Sequence, residues 1–295
     1  MKKIVLAGGT GFVGQYLEKK FREQGYQVVI ISRKPHHVNW TDYAGMLNAL
    51  EGAEMLINLA GKSVNCRYTE ANKREIFDSR MKTTEALGAA ILNCDNPPPL
   101  WINSSTSTIY RHAEDRPMTE ASGEFGKGFS VEVGKAWEQA LFSFYLPETR
   151  QVALRLSIVL GKGGGVMVPY ENMVRFGLGG KQGNGNQLFS WIHIEDVYKI
   201  ILYLRDNDQM SGIINTTSPT PVTNRELMKA LRKAMNRKVG LPTTKWMLSI
   251  GGVIIRTEPE LILKSRWILP ARLEQDGFQF AYPTLDRALH NILHE

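Results

Sequence analysis

The feature that most constrains this chain is a glycine turn that follows its first apolar run at once. Lys3-Ile4-Val5-Leu6-Ala7 reads as a strand, and Gly8-Gly9-Thr10-Gly11-Phe12-Val13-Gly14 comes directly after it. The turn contains Gly9-x-Gly11-x-x-Gly14 and also Gly8-x-x-Gly11-x-x-Gly14, ahead of a stretch with helical recurrence. Both spacings meet the same needs: a tight reversal, a backbone that an anion can approach with no Cβ between them, and close helix–strand packing. The helix N-terminus adds unpaired N–H groups and a partial positive charge, which suit a diphosphate. A dinucleotide held by Gly8, Thr10, Gly11, Phe12 and Val13 is expected; a glycine-rich turn without a ligand is the alternative.

Short β-branched runs then alternate with longer amphipathic ones. Strands are expected over 3–7, 27–32, 55–59, 100–104 and 152–156, and crossover helices over 15–24, 80–92 and 131–144. Repeated strand–helix–strand order implies a Rossmann-like, doubly wound parallel sheet, an α/β fold that binds ligands at the carboxyl ends of its strands. Residues 161–165 and 177–185 are glycine-rich and read as loops, and the pattern beyond Pro219 is mostly helical. The expected division is a cofactor-binding domain over 1–160, with 190–217 returning to it. Residues 161–189 and 218–295 form a smaller, mostly helical C-terminal lobe on the substrate side.

The second strand ends in Ile31-Ser32-Arg33-Lys34. A site for NAD normally places an acidic residue here to take the ribose 2′-hydroxyl. None is present; Arg33 and Lys34 suit a 2′-phosphate instead, with Ser32 as a hydrogen-bonding neighbour. NADP is therefore the expected cofactor, and a merely solvated basic pair is the alternative reading of Arg33 and Lys34.

Composition narrows the classes further. With 43% hydrophobic and 22% charged residues, the 295-residue chain is an ordinary globular one. No run approaches the roughly 18 apolar residues of a membrane span; the best candidate, 246–255, is short and carries two glycines. Met1-Lys2-Lys3 and the apolar residues after it resemble a signal peptide only superficially, because the run stops at Ala7. A cytoplasmic protein without membrane contact, monomeric or homodimeric, is expected. Its 2 cysteines, Cys66 and Cys94, have no ligand-like spacing to histidines, so neither a disulfide framework nor a metal site is expected. The net charge of +7 raises the question of nucleic acid. Its one cluster, Lys229, Arg232, Lys233, Arg237 and Lys238, has the spacing of a solvated helix face, so no nucleic-acid partner is expected.

Nearly end to end, the chain resembles the extended short-chain dehydrogenase/reductase superfamily, and within it the atypical branch of epimerase family proteins. The resemblance rests on the glycine turn, Ser32-Arg33-Lys34-Pro35, Asn58-Leu59-Ala60-Gly61, Ser79-Arg80 before Thr83-Thr84, and Trp137-Glu138. It continues through Val159-Leu160-Gly161, Gly163-Gly164-Gly165, Trp191-Ile192-His193 with Asp196, Pro270, Gly277-Phe278 and Tyr282-Pro283. The tail resembles the carboxy-terminal domain of unknown function that marks this branch. The resemblance implies that Leu59 and Ala60 line the adenosine and diphosphate side. It also implies that Glu75 and Arg80 reach the cofactor, and that Val159 lies near the nicotinamide. It further implies an NADP-dependent oxidoreductase or epimerase acting on a small carbonyl or sugar-nucleotide-like substrate.

The sequence departs from the superfamily at the catalytic end. Typical members carry a tyrosine and, four residues later, a lysine that helps the phenol exchange a proton with a carbonyl or alcohol. Aligned on Glu138, those positions are Ser130 and Gly134; a shift by one keeps Lys135 but puts Val131 at the phenol. Tyr16 and Lys20 have the spacing but stand behind the glycine turn. Thr106, four before Tyr110, and its neighbour Ser105 are the candidates for a substrate-orienting hydroxyl, a strand end satisfied by backbone bonds being the alternative. Glu132 and Lys135 read as acid–base residues only if they face the pocket. His193 is expected to be structural, and Asp196 to open a helix. The missing pair leaves a second reading open: a non-catalytic NADP-binding redox sensor or scaffold.

Overall fold

The computed structural model describes residues 1–243 and 264–295. Six parallel strands form the main sheet in the order β2-β1-β3-β4-β5-β9. They are β1 (Lys3–Ala7), β2 (Gln27–Ile31), β3 (Met55–Asn58), β4 (Leu100–Thr106), β5 (Arg150–Leu156) and β9 (Gly212–Thr216). Strand side chains alternate between faces, and the sequence uses both sides. Ile4, Leu6, Ile57 and Ile102 pack on one face with α1 (Phe12–Glu23) and α6 (Ile194–Asp206), through Leu17, Phe21, Val197 and Ile201. Val5, Leu56 and Trp101 pack on the other with α2 (Tyr43–Leu50), α3 (Glu70–Ile91) and α4 (Phe129–Phe142), through Leu50, Leu87 and Leu141. Burial on both faces explains why these strands read as continuous apolar runs.

From β1 the chain winds through α1 to β2 on one side, then crosses through α2 to β3 on the other. This reversal opens a crevice at the carboxyl ends of β1 and β3, where ligands of such sheets sit. A second body is built on α5 (Met167–Arg175), α7 (Asn224–Ala234) and α9 (Leu285–His294), whose Val174, Leu227, Leu231, Leu289 and Ile292 share one core. Helix α7 starts with a full capping box between Thr223 and Glu226. It buries Leu227 and Leu231 while Lys229 and Lys233 face solvent. A short parallel ladder joins β6 (Ile158–Leu160) to β8 (Trp191–His193), and β7 (Leu188–Phe189) pairs with β10 (Val222–Thr223). After α8 (Ala271–Gln275) the tail returns to α6: Asp196 accepts the N–H groups of Ala281 at 2.7 Å and Tyr282 at 3.0 Å.

Three local expectations change. Helix α3 begins at Glu70 rather than at residue 80, because its first two turns are charged and carry a single buried apolar residue, Ile76. Thr69 caps it by accepting the Asn72 N–H, a signal that hydrophobic recurrence does not contain. Asp196 does not open α6. The His193 Nδ1 accepts the Glu195 N–H at 3.1 Å and is the cap, while Asp196 holds the tail. Strand β4 runs on through Ser105 and Thr106, which pair with Arg155 and Leu156 of β5. Among the described residues no helix is long and apolar enough to cross a membrane, and no group of three His, Cys, Asp or Glu could hold a metal ion. The apolar stretch 246–255, and the helical pattern expected across 244–263, lie outside the described residues.

Candidate functional site

The crevice opens into a cavity of about 380 Å³. Gly8, Gly11, Phe12, Val13 and Gly14 line one end of it. Two of these glycines are fixed by contact. Gly8 has φ +74, and a Cβ there would lie 2.5 Å from the Ala60 Cα; at Gly14 a Cβ would lie 2.5 Å from the Gly9 carbonyl oxygen. No side chain larger than hydrogen fits either position. At Gly11 the reason is different: no atom lies within 4 Å of where its Cβ would be, so this position faces open space. Gly11 is also the N-cap of α1, and no side chain caps the helix. A bare, uncapped helix start beside an open cradle fits an anionic diphosphate.

The glycine loop 161–165, read from sequence only as a loop, packs on the ring of Phe12. A Cβ at Gly164 would meet the ring at 2.2 Å and one at Gly161 at 2.8 Å. Phe12 is thereby held at the cavity edge, and Val159 lines the wall beside Leu156 and Ser157. Leu59, Ile76 and Arg80 form the side next to β3. Burial pushes the Arg80 guanidinium down to about 10, and the Tyr68 phenol, when ionised, opposes that shift. Arg80 stacks over Trp137, 4.9 Å from the ring centroid, and donates to the carbonyls of Ile76 at 2.9 Å and Lys62 at 3.2 Å.

Other residues expected in the site stand outside the cavity lining. Ala60 is buried behind Gly8, its N–H donated to the Asn58 carboxamide at 3.0 Å. The Thr10 carbonyl accepts the Gln15 side chain at 3.1 Å. Glu75 is ion-paired with Lys62 on the surface. Ser32 is buried; its hydroxyl lies 2.8 Å from His37 Nδ1 and accepts the Lys34 N–H at 3.0 Å, shaping the loop that carries Arg33 and Lys34 outward. Both basic side chains are exposed beyond the end of β2.

The opposite end is built by β4 and α4. Ser104, Ser105, Thr106, Phe129, Ser130, Val133 and Trp137 line it. Ser105 donates to Glu138 at 2.6 Å, and Glu138 is gripped at 2.7 Å through both carboxylate oxygens by the buried Arg155. Arg155 also reaches the Tyr110 hydroxyl at 2.8 Å, and Tyr110 donates to Asn215 at 2.9 Å. Burial works against the Arg155 charge, but the bonds to Glu138 and Tyr110 outweigh it and push its pKa up. Ser105 is thus one terminus of a buried network, while the Thr106 hydroxyl accepts the Thr108 N–H at 3.1 Å. Thr106 also fills the space beside Gly134, where a Cβ would come 3.1 Å from its methyl group.

The alternative acid–base candidates fall elsewhere. Glu132 and Lys135 face each other at 3.9 Å on the exposed side of α4. Tyr16 and Lys20 both engage Glu195, tying α1 to α6. Burial and Glu195 raise the Tyr16 pKa far above that of a free phenol. Sequence reading missed Tyr68 altogether. It lines the cavity from the segment between β3 and α3, which has no periodicity to single it out.

Comparisons with known proteins cover nearly the whole chain. Residues 4–216 match the model of the NAD dependent epimerase/dehydratase family, and 243–292 match a domain of unknown function, DUF1731. Human epimerase family protein SDR39U1 is 30% identical over 99% of both chains. Epimerase family protein YfhF of Bacillus subtilis is 31% identical over 98% of this chain and 97% of its own. The crystal structure of human SDR39U1 (isoform 2) with NADPH superposes with a TM-score of 0.89 at 28% identity, covering 99% of each chain.

Proposed function

Because the chain belongs to the NAD-dependent epimerase/dehydratase family, we propose that it binds NADP(H) along the β1/β3 crevice and exchanges hydride with a small carbonyl or sugar-nucleotide-like substrate, as an oxidoreductase or epimerase. The observation that carries this reading is the continuous cavity from the uncapped start of α1 to the hydroxyl-rich end of β4. Gly8, Gly11 and the first turn of α1 receive the diphosphate. Arg33 and Lys34 take the 2′-phosphate, with Ser32 holding their loop in place. The NADPH in the human SDR39U1 crystal supports that choice of cofactor. Leu59, Arg80 and Val159 bound the path, and Ser105 and Thr106 face its far end.

Bound nicotinamide supplies hydride chemistry; the protein's part is to exclude water and orient the reacting oxygen. The Glu138–Arg155 pair keeps Ser105 in one rotamer, so this wall is preorganised. The second body, from the described residues of 161–189 and 218–295, closes the substrate side, and the protein acts in the cytoplasm as a monomer or homodimer.

A second reading, a non-catalytic NADPH sensor or scaffold, is favoured by Ser130 and Gly134 standing where a tyrosine and a lysine are usual. Deuteride transfer separates the two. NADPH deuterated at C4, in each stereoisomer, is incubated with protein and 4-nitrobenzaldehyde, and the alcohol is examined by mass spectrometry. Deuterium in the alcohol is expected. Tight NADPH binding with no transfer from either isomer would instead select the sensor.

A further inference from the structure

The end of the cavity that lacks a phenol on α4 receives one from another element. Tyr68 precedes α3, lines the cavity, and places its hydroxyl 3.3 Å from the Ser130 Oγ. Its ring packs edge to face on Phe129, with centroids 5.2 Å apart. The half-buried Arg80 guanidinium lines the same cavity, and an ionised Tyr68 favours its charge. Phenol and serine hydroxyl therefore meet in a cavity that the Arg80 cation also lines, the three drawn from the β3–α3 segment, α4 and α3.

From this arrangement, and resting on the cofactor reading above, we propose that Tyr68 is the proton-exchanging catalytic residue of this pocket, oriented by Ser130 and supported by Arg80. In the reducing direction the carbonyl π bond breaks and its carbon takes the hydride, so the carbonyl is reduced and the cofactor oxidised. The substrate oxygen takes the Tyr68 proton, and solvent reprotonates the phenolate. The positive charge of Arg80 stabilises the negative charge that develops on the Tyr68 oxygen. Ser130, a far weaker acid than a phenol, serves as the positioning hydroxyl. A tyrosine here would otherwise only pack on Phe129 and hold the segment against α4.

Two measurements separate the roles. In crystals of the protein with NADP+, the Tyr68 Oη is expected within about 5 Å of the nicotinamide C4, room for one reacting carbonyl. Placement beyond about 8 Å, or beside the adenine, overturns the assignment. In solution, Tyr68→Phe is expected to bind NADPH within about twofold of wild type, while deuteride transfer to 4-nitrobenzaldehyde falls by roughly 10²–10⁴-fold. Ser130→Ala is expected to lose roughly tenfold or less, as a positioning residue should. Wild-type transfer by Tyr68→Phe overturns the proposal and leaves the cofactor reading standing. Failure of wild-type protein to bind NADPH overturns both.

Discussion

The two ends of the cavity are held by different means. At the β1–β3 end the backbone decides: Gly8 and Gly14 sit where a Cβ would overlap neighbouring main chain, and Gly11 borders open space. At the β4–α4 end side chains decide: Ser105, Glu138, Arg155 and Tyr110 form a buried polar chain, and Thr106 packs into the space beside Gly134. The first end has almost no freedom to change and still bind a diphosphate. The second can keep its buried network while the side chains that line the cavity change. A Cβ at Gly134 would come 3.1 Å from the Thr106 methyl group and 3.5 Å from Ile109, so α4 lies close against the end of β4 there.

The largest expected effect breaks the backbone end. Gly8→Val forces a branched side chain against Ala60 at φ +74, and should cost more than about 3 kcal/mol and abolish NADPH binding. A thermal melt and calorimetric titration check both. Gly134→Ala, whose Cβ comes 3.1 Å from the Thr106 methyl group and 3.5 Å from Ile109, side chains rather than backbone, should stay within about 1 kcal/mol of wild type. Equal damage from the two would erase the contrast between the ends.

Next comes the polar chain. Glu138→Ala leaves the Arg155 guanidinium, with 3% of its side chain accessible, without its carboxylate. Urea unfolding should report a loss of about 3–5 kcal/mol. A loss under 1 kcal/mol would mean that this end is not held by the network.

A smaller effect concerns pH at the junction between the sheet and the tail. Burial lowers the His193 pKa from 6.5 to about 4, with Glu195 partly opposing it. The unfolded chain therefore binds the proton first as pH falls. His193 contributes its full stability above pH 6.5 and loses it between 6.5 and about 4. The loss at pH 5 should be about 2 kcal/mol, read from urea midpoints at pH 7 and pH 5. His193→Asn, which retains a capping side chain, should flatten that dependence. An unchanged pH profile in this variant would assign the acid sensitivity elsewhere.

The same contrast explains what the sequence made legible. Strands β1 to β5 were readable because burial on both faces leaves apolar runs, and the glycine turn because backbone contact restricts its residue types. The charged start of α3 was not, since a Thr69 cap and a single buried Ile76 leave little periodicity. Asp196 looked like a cap because aspartate commonly is one; its two bonds go to residues 85 and 86 positions away, which no local pattern reveals. Tyr68 and Ser130 are 62 residues apart and meet only through the fold. Residues 161–165 read from sequence only as a glycine-rich loop, because their use, making room for the Phe12 ring, is a tertiary contact.

The central claim is that the β1 turn and the end of β2 together hold NADP(H). It is tested most directly by titrating wild type and Arg33→Ala with NADPH and NADH while following nicotinamide fluorescence. Wild type should bind NADPH at least about tenfold more tightly than NADH, and Arg33→Ala should lose that preference while its NADH affinity stays the same. Equal affinities in wild type, unchanged by the substitution, would contradict the account.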